Sequence, residues 1–213
     1  MLPRLDRLVP STGTNARPVL ERLRDQNTIK VLILCHPAPF AGHWQENVIR
    51  EQTETLFADR LVMGQTIDYF TLDPEQTPTT RADFPMGFMH TLFKETKWST
   101  VERWDMVWAP DCGGEWWTMW NLKGQAQRDE FLRLVQIMSK SLLPGGFLML
   151  CKLPFEKIYD SDTDLQQAIG LLSEVAEFAH VEHVPVPDPY SPEASPALTY
   201  IRVQKCNASR CKA

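Results

Sequence analysis

Short apolar runs alternate with longer amphipathic segments along most of the chain. Four runs have the length of strands, and they span 28–35, 65–72, 105–109 and 147–152. The first is nearly continuously apolar, as expected of a strand buried on both faces. Three segments place apolar residues at helical spacing, and they span 44–57, 125–142 and 164–179. Strands that alternate with helices predict an α/β fold built on a mostly parallel sheet.

The last part of the chain predicts a different connection. Two strand-like runs, 181–186 and 197–205, are separated by the proline-rich stretch 185–196 and by no helical segment. Neighbouring strands joined by a loop without a helix are expected to be antiparallel. The sheet is therefore predicted to finish in a C-terminal antiparallel β-hairpin.

The chain has 213 residues, a length typical of one domain with short extensions. Residues 1–26 carry three prolines and a polar centre, which predicts an extended N-terminal arm with a short helix over 19–25. The domain itself is expected to span 27–206. Residues 207–213 are polar and predict a loose C-terminal tail.

Charge and cysteine content narrow the class of protein. The net charge of −5 gives no support for an extensive phosphate-binding surface, although a local basic patch is compatible with it. Five scattered cysteines and no signal peptide indicate the cytoplasm or another intracellular reducing compartment. Cys35 and Cys151 lie in apolar runs, whereas Cys206 and Cys211 are predicted in the polar tail. No apolar run is long enough to cross a membrane.

Six of the seven tryptophans lie between positions 98 and 120. Such a cluster is most often part of a core or a pocket wall. Two further interpretations stay open, namely an aromatic platform that stacks on a nucleic-acid base and an exposed patch that contacts a partner protein.

Several motifs occur in an order that resembles one known family. An acid, Asp73, follows the second strand, and Ala82-Asp83-Phe84 comes about ten residues later. A third motif, at 104–111, covers the strand-like run 105–109 and the two residues after it. A Leu-Pro-Gly-Gly-Phe turn spans 143–147. Together with the final hairpin, this order resembles the class I S-adenosylmethionine-dependent methyltransferases. The resemblance implies a Rossmann-like, mostly parallel sheet with helices on both faces and a C-terminal antiparallel β-hairpin.

The same resemblance implies a set of cofactor-binding residues for S-adenosylmethionine. Asp73 corresponds to the acid that accepts hydrogen bonds from the ribose hydroxyls, and Asp83 to the acid near the adenine. The remaining candidates at strand ends and loops are Cys35, Gly42 and Ala109.

The loop after the first strand departs from the family pattern. Members usually have a glycine-rich turn there, because glycine lets the backbone approach the cofactor. Here only Gly42 is present, and Pro37, Pro39 and Phe40 occupy the loop. The two prolines lack N–H groups that would contact the ligand.

The catalytic candidates come from a partial match to the Lys-Asp-Lys-Glu set of RNA ribose 2′-O-methyltransferases. Asp111 and Lys152 correspond to the central Asp and Lys, where a lysine of lowered pKa would take the ribose proton. Lys30 is a weak candidate for the first Lys, and Leu198 and Thr199 stand where the final Glu is expected.

The candidate substrate-binding residues follow the strand-like run 105–109, and they are Cys112, Trp116 and Trp117. The His, Cys and Asp spacings nearby are not diagnostic of zinc, so no metal site is predicted.

Two functions are therefore compatible with the sequence. The first is an S-adenosylmethionine-dependent methyltransferase that acts on RNA or an RNA cap. The alternative is a catalytically inactive, methyltransferase-like subunit of a larger complex. In that case the N-terminal arm and the Trp-rich loop would contact protein partners.

Overall fold

The computed structural model describes residues 19–34, 46–72, 83, 104–109, 122–152, 161–186 and 198–207. Within these ranges the chain forms six strands and five helices. The strands are β1 Thr28–Leu34, β2 Thr66–Leu72, β3 Trp104–Ala109, β4 Leu142–Lys152, β5 Phe178–Val186 and β6 Leu198–Lys205. The helices are α1 Val19–Arg24, α2 Glu46–Leu56, α3 Ala58–Val62, α4 Gln125–Lys140 and α5 Ser161–Ser173.

The six strands form one sheet in the order β2-β1-β3-β4-β6-β5. β1 pairs in parallel with both β2 and β3, and β3 pairs in parallel with β4. β6 is antiparallel to β4 and to β5, and it lies between them. The predicted mostly parallel sheet with a final antiparallel hairpin is confirmed.

Helices cover both faces of this sheet. Val19 of α1, Phe131 of α4 and Leu165 of α5 belong to the apolar cluster on one face. Val48 and Ile49 of α2 belong to the cluster on the other face. The Rossmann-like layout with helices on both faces is thus present. Among the described helices, none is long and apolar enough to cross a membrane.

The apolar character of β1 follows from this two-sided burial. Side chains alternate along a strand, and Ile29, Val31 and Ile33 enter one cluster while Leu32 and Leu34 enter the other. All five are at most 1% exposed. A strand without a solvent-facing side has no place for an alternating polar pattern.

Two helix boundaries differ from the sequence prediction. The segment after α2 forms a separate short helix, α3, which begins after Phe57 and was not predicted. The predicted helix over 164–179 is wrong at its C-terminal end, because α5 stops at Ser173 and Phe178 begins β5. The Phe178 N–H donates to the Val175 carbonyl in a turn, and its side chain is buried as a strand residue. Apolar periodicity continued through this turn without a glycine or proline.

The end of β6 is buried rather than part of a polar tail. Cys206 is 4% exposed, and its N–H donates to the Glu177 carbonyl over 2.8 Å. The prediction that Cys206 lies in the tail is therefore wrong, since the chain between α5 and β5 covers it. Cys151 is buried in β4, as predicted. Cys35 and Cys211 lie outside the described residues.

The Pro-Gly-Gly motif lies inside β4 and not before it. Trp104 already pairs with Leu142, and the register shifts between Trp104 and Met106. Gly145 has a φ of 79°, a left-handed conformation that glycine adopts without strain. At Gly146 a Cβ atom would lie 2.9 Å from the Asp105 carbonyl oxygen. Glycine at this position lets β3 and β4 approach where the register changes.

We expect Gly146→Ala to lower the free energy of unfolding by about 1–3 kcal/mol, the scale of overpacking a buried position. The added methyl group would meet backbone oxygens, which cannot rotate away as a flexible side chain can. Urea unfolding measures the change. Gly170→Ala in α5 is the matched control, because a Cβ there has no neighbour within 4 Å. The control should raise stability by about 0.5–1 kcal/mol, since alanine is the better helix former. Equal effects of the two substitutions would contradict the close approach at Gly146.

Candidate functional site at the carboxyl edge of the sheet

Four parallel strands end at a common edge of the sheet. Leu34 pairs with Leu72, and Ile33 pairs with Trp108, so Leu34 is level with Ala109. Ala109 in turn pairs with Leu150. All four residues of this row are fully buried. In open α/β sheets, ligands bind outside the carboxyl ends of the strands, so this edge is the candidate site.

Two of the five candidate cofactor-binding residues, Ala109 and Asp83, are described by the structure, and both lie near this edge. Ala109 is the last residue of β3 and has the smallest side chain of the row. Asp83 contacts Thr71 near the carboxyl end of β2. Cys35 and Asp73 directly follow the last residues of β1 and β2, but they and Gly42 lie outside the described residues. The cofactor-binding roles of all five stay predictions.

The catalytic and substrate candidates are described only in part. Lys152 ends β4 at the same edge and pairs in register with Thr199 of β6. This pairing places a threonine position opposite Lys152, where the resembled set would have its Glu. Asp111 lies two positions beyond the end of β3, outside the described residues. Cys112, Trp116 and Trp117 lie outside them as well, and the assigned roles stay predictions.

Lys30 is not near this edge, and the prediction that it completes a catalytic set with Lys152 is wrong. Its neighbour Val31 is level with Met106, which pairs with Phe147. Lys152 therefore lies at least five residues further along the parallel strands. The Lys30 ammonium instead donates to the Asp25 carbonyl over 2.6 Å.

One buried charged cluster reaches the carboxyl edge from α1. The Arg22 guanidinium donates through Nε to Asp68 Oδ2 over 2.9 Å and through its terminal nitrogen to Asp68 Oδ1 over 2.6 Å. The other terminal nitrogen donates to Asp83 Oδ1 over 2.8 Å. Arg22 and Asp83 are each 2% exposed and Asp68 is 7% exposed. A fork-to-carboxylate geometry of this kind fixes both partners in place.

The electrostatics of the cluster follow from two acids that share one guanidinium. Burial by itself lowers the pKa of Arg22, but hydrogen bonds and the charges of Asp68 and Asp83 outweigh it, so the pKa is raised. Burial raises the pKa of Asp83, and the attraction of Arg22 offsets this only in part. The nearby Asp68 charge acts in the same direction as burial.

This ion-pair cluster was not predicted from the sequence, although charged residues at otherwise buried positions indicate it. Asp68 shares a strand face with Phe70 and Leu72, both of which are fully buried. Arg22 lies three residues after Val19, on the buried side of a short helix. A charged residue on each of two buried faces indicates an ion pair between them, because a lone buried charge is costly.

A second polar group near the carboxyl edge, the Tyr200 hydroxyl, was also not predicted as part of the site. Tyr200 is fully buried, and its ring packs edge-on against Trp108 with centroids 5.3 Å apart. In the register it faces Cys151, one residue before the end of β4. Its hydroxyl has no hydrogen-bond partner within the part of the chain that the structure describes. Burial, together with the neighbouring Cys151 thiol, raises its pKa, so the phenol stays protonated.

No metal centre is indicated among the described residues, where no group of three or more His, Cys, Asp or Glu side chains could hold an ion. Several of the potential ligands noted in the sequence, His36, His43 and Cys112, lie outside the described ranges.

The raised pKa of Asp83 predicts a specific dependence of stability on pH. An acid whose pKa is higher in the folded protein contributes stability that is complete below its ordinary value of 3.8. That contribution is lost as the pH rises through the raised pKa. We therefore expect the unfolding free energy of the wild type, minus that of Asp83→Asn, to be larger at about pH 4 than at about pH 7. Urea unfolding at both pH values tests this. A difference that grows with pH would mean that Arg22 lowers the pKa instead.

No protein-family model and no curated protein matches the chain. Among solved structures, the chain aligns with a Listeria monocytogenes protein described as a class I S-adenosylmethionine-dependent methyltransferase. The identity is 12%, the TM-score is 0.44, and the alignment covers 91% of this chain and 59% of that one. The chain thus spans less than two thirds of that protein's length.

Two further solved structures show a similar degree of likeness. The N-methyltransferase NodS from Bradyrhizobium japonicum aligns at 13% identity and a TM-score of 0.36, over 84% of this chain and 86% of that one. The 16S rRNA (adenine(1408)-N(1))-methyltransferase from Catenulisporales acidiphilia aligns at 11% identity and a TM-score of 0.40, over 86% and 88%. At these values the likenesses decide nothing by themselves, and the fold rests on strand order and register.

Proposed function

We propose that this chain binds S-adenosylmethionine at the carboxyl edge of its sheet and acts as a methyltransferase. One observation carries the proposal: β1, β2, β3 and β4 run in parallel and reach one row at Leu34, Leu72, Ala109 and Leu150. This row ends β1, β2 and β3 and lies two residues before the end of β4. The segments that follow β2 in the sequence hold the acids that resemble cofactor ligands, Asp73 and Asp83. The edge is thus the natural place for a nucleoside ligand.

The residues at this edge fit the cofactor. Ala109 has the smallest side chain in a buried row that otherwise consists of leucines, and this row would form an apolar floor for the ligand. Asp73, directly after β2, would accept hydrogen bonds from the ribose hydroxyls. Asp83 would stand beside the adenine, with its carboxylate shared with Arg22. When bound, S-adenosylmethionine supplies an electrophilic methyl group to a nucleophilic atom of the acceptor.

The acceptor side of the reaction is assigned to the ends of β3 and β4. Lys152, as the neutral amine, would take the proton from the acceptor hydroxyl and become an ammonium, and Asp111 would hold the Lys152 side chain in place. Thr199 is opposite Lys152 in the register, so no Glu from β6 completes the set. We propose RNA or an RNA cap as the acceptor, with a base stacked on Trp116 or Trp117.

A second function is favoured by one feature of the sequence. Pro37, Pro39 and Phe40 replace the glycine-rich turn that usually approaches the cofactor. A chain that has lost cofactor binding would serve as a methyltransferase-like subunit of a complex. Its N-terminal arm and Trp-rich loop would then contact partner chains.

Isothermal titration with S-adenosylmethionine and S-adenosylhomocysteine separates the two functions. The enzyme proposal predicts saturable binding of both ligands. Asp73→Ala should then weaken binding by about 1–3 kcal/mol, because it removes a charged hydrogen-bond acceptor. Asp59→Ala is the control, since Asp59 lies in α3 and away from the carboxyl edge. No binding at ligand concentrations of about 1 mM, a very weak affinity, would remove the enzyme proposal and favour the assembly subunit.

A further inference from the structure

Helix α1 is joined to the candidate site by a side chain that the proposed chemistry does not use. Arg22 binds Asp68 and Asp83 and also donates to the Tyr69 carbonyl over 2.6 Å. Its guanidinium stacks on the Phe70 ring, 4.3 Å from the centroid. The planar group is thus held on its edges by acceptors and on one side by an aromatic ring. Such a guanidinium has little freedom to move.

The cluster continues from Arg22 to the backbone of β2. Asp83 Oδ2 accepts a hydrogen bond from the Thr71 N–H over 3.0 Å. In return, the Asp83 N–H donates to Thr71 Oγ1 over 3.1 Å. This reciprocal pair fixes both the side chain and the backbone of residue 83 against the strand.

The far end of the cluster lies at the ligand edge. Thr71 precedes Leu72, which is the last residue of β2 and belongs to the carboxyl row. β2 also ends the strand order of the described sheet. Two of its backbone groups, the Tyr69 carbonyl and the Thr71 N–H, are therefore paired by side chains and not by another strand. The contacts that protect the outer side of β2 from pairing with another chain are thus the same contacts that hold residue 83 near the candidate site.

We propose that Arg22 is a positioning residue of the cofactor site, which makes α1 a part of that site. Arg22 holds Asp83 on Thr71, and this fixes residue 83 at the end of β2, beside the nucleoside of S-adenosylmethionine. The inference rests on the proposed cofactor binding and adds a residue from the predicted N-terminal arm. Arg22 itself does not touch the ligand, and it acts through Asp83.

A matched control exists at the amino ends of the parallel strands, opposite the carboxyl edge. Arg60 of α3 also reaches from a helix to a buried strand acid, and it donates to Asp105 Oδ1 over 2.5 Å. Asp105 also accepts a hydrogen bond from the Lys30 N–H, near the amino end of β1. An arginine with a purely structural role should behave like Arg60 when ligand affinity is measured.

The experiment compares Arg22→Lys with Arg60→Lys in the full chain. Lysine keeps the charge but cannot bridge two carboxylates with a planar fork. Both variants should lose stability in urea unfolding. Titration with S-adenosylhomocysteine should show that Arg22→Lys weakens binding by about tenfold, the lower end of what removing an orienting partner costs. Arg60→Lys should leave the dissociation constant within about twofold, because its pair lies at the other edge.

Thr71→Val provides a second route to the same contact. It conserves the shape of the side chain but removes the Oγ1 acceptor of the Asp83 N–H. This variant should weaken S-adenosylhomocysteine binding in the same direction, and it decides the matter if Arg22→Lys does not fold.

The possible failures are distinguishable. If the wild type binds S-adenosylhomocysteine and both Arg22→Lys and Thr71→Val bind it equally well, the positioning role is overturned while the proposed function stands. If the wild type binds neither S-adenosylhomocysteine nor S-adenosylmethionine, the proposed function fails and the positioning role fails with it.

Discussion

The parallel register of β1 with its two neighbours is the constraint on which the candidate site depends. It aligns the ends of β2, β1 and β3 in one row, at Leu72, Leu34 and Ala109. Residues that are far apart in the sequence are thereby brought to a single edge. A shift by one residue would turn every side chain to the opposite face and misalign the two apolar clusters. Burial on both faces therefore fixes the geometry of the edge.

The Arg22 cluster shows how charge is accommodated within this apolar frame. Removing one partner from a buried ion pair costs about 3–5 kcal/mol, because the remaining charge is left uncompensated. Such a cluster specifies an arrangement more than it adds stability. Here it specifies where α1 and residue 83 lie on β2. The raised pKa of Asp83 agrees with this interpretation, since it follows first from the burial of the carboxyl group, to which the nearby Asp68 charge adds.

Much of the fold could be predicted from the sequence. The apolar runs predicted all six strands, of which only β4 begins more than three residues from its predicted start. The missing helix before the last strand predicted the hairpin. Local patterns failed where a backbone turn carried no glycine or proline, as between α5 and Phe178. They also failed at β4, where the Pro-Gly-Gly motif lies within the strand because β3 already pairs with Leu142.

The site could be predicted less well than the fold. Acids that directly follow predicted strands indicate a site at the carboxyl edge, because strand ends can be read from composition. The long-range contacts were not predictable in this way, since Arg22 and Asp83 are separated by 61 positions. The distance between Lys30, near the amino end of β1, and Lys152, at the carboxyl end of β4, likewise follows from the register.

The most direct test of the central claim is a backbone amide chemical-shift titration with S-adenosylhomocysteine. The account predicts that the shifts at saturation concentrate on residues at the carboxyl ends of the strands, such as Leu34, Leu72 and Ala109. Amides at the amino ends, such as those of Thr28 and Thr66, should change little. Shifts confined to the amino ends, or no shifts at all, would contradict a ligand site at the carboxyl edge.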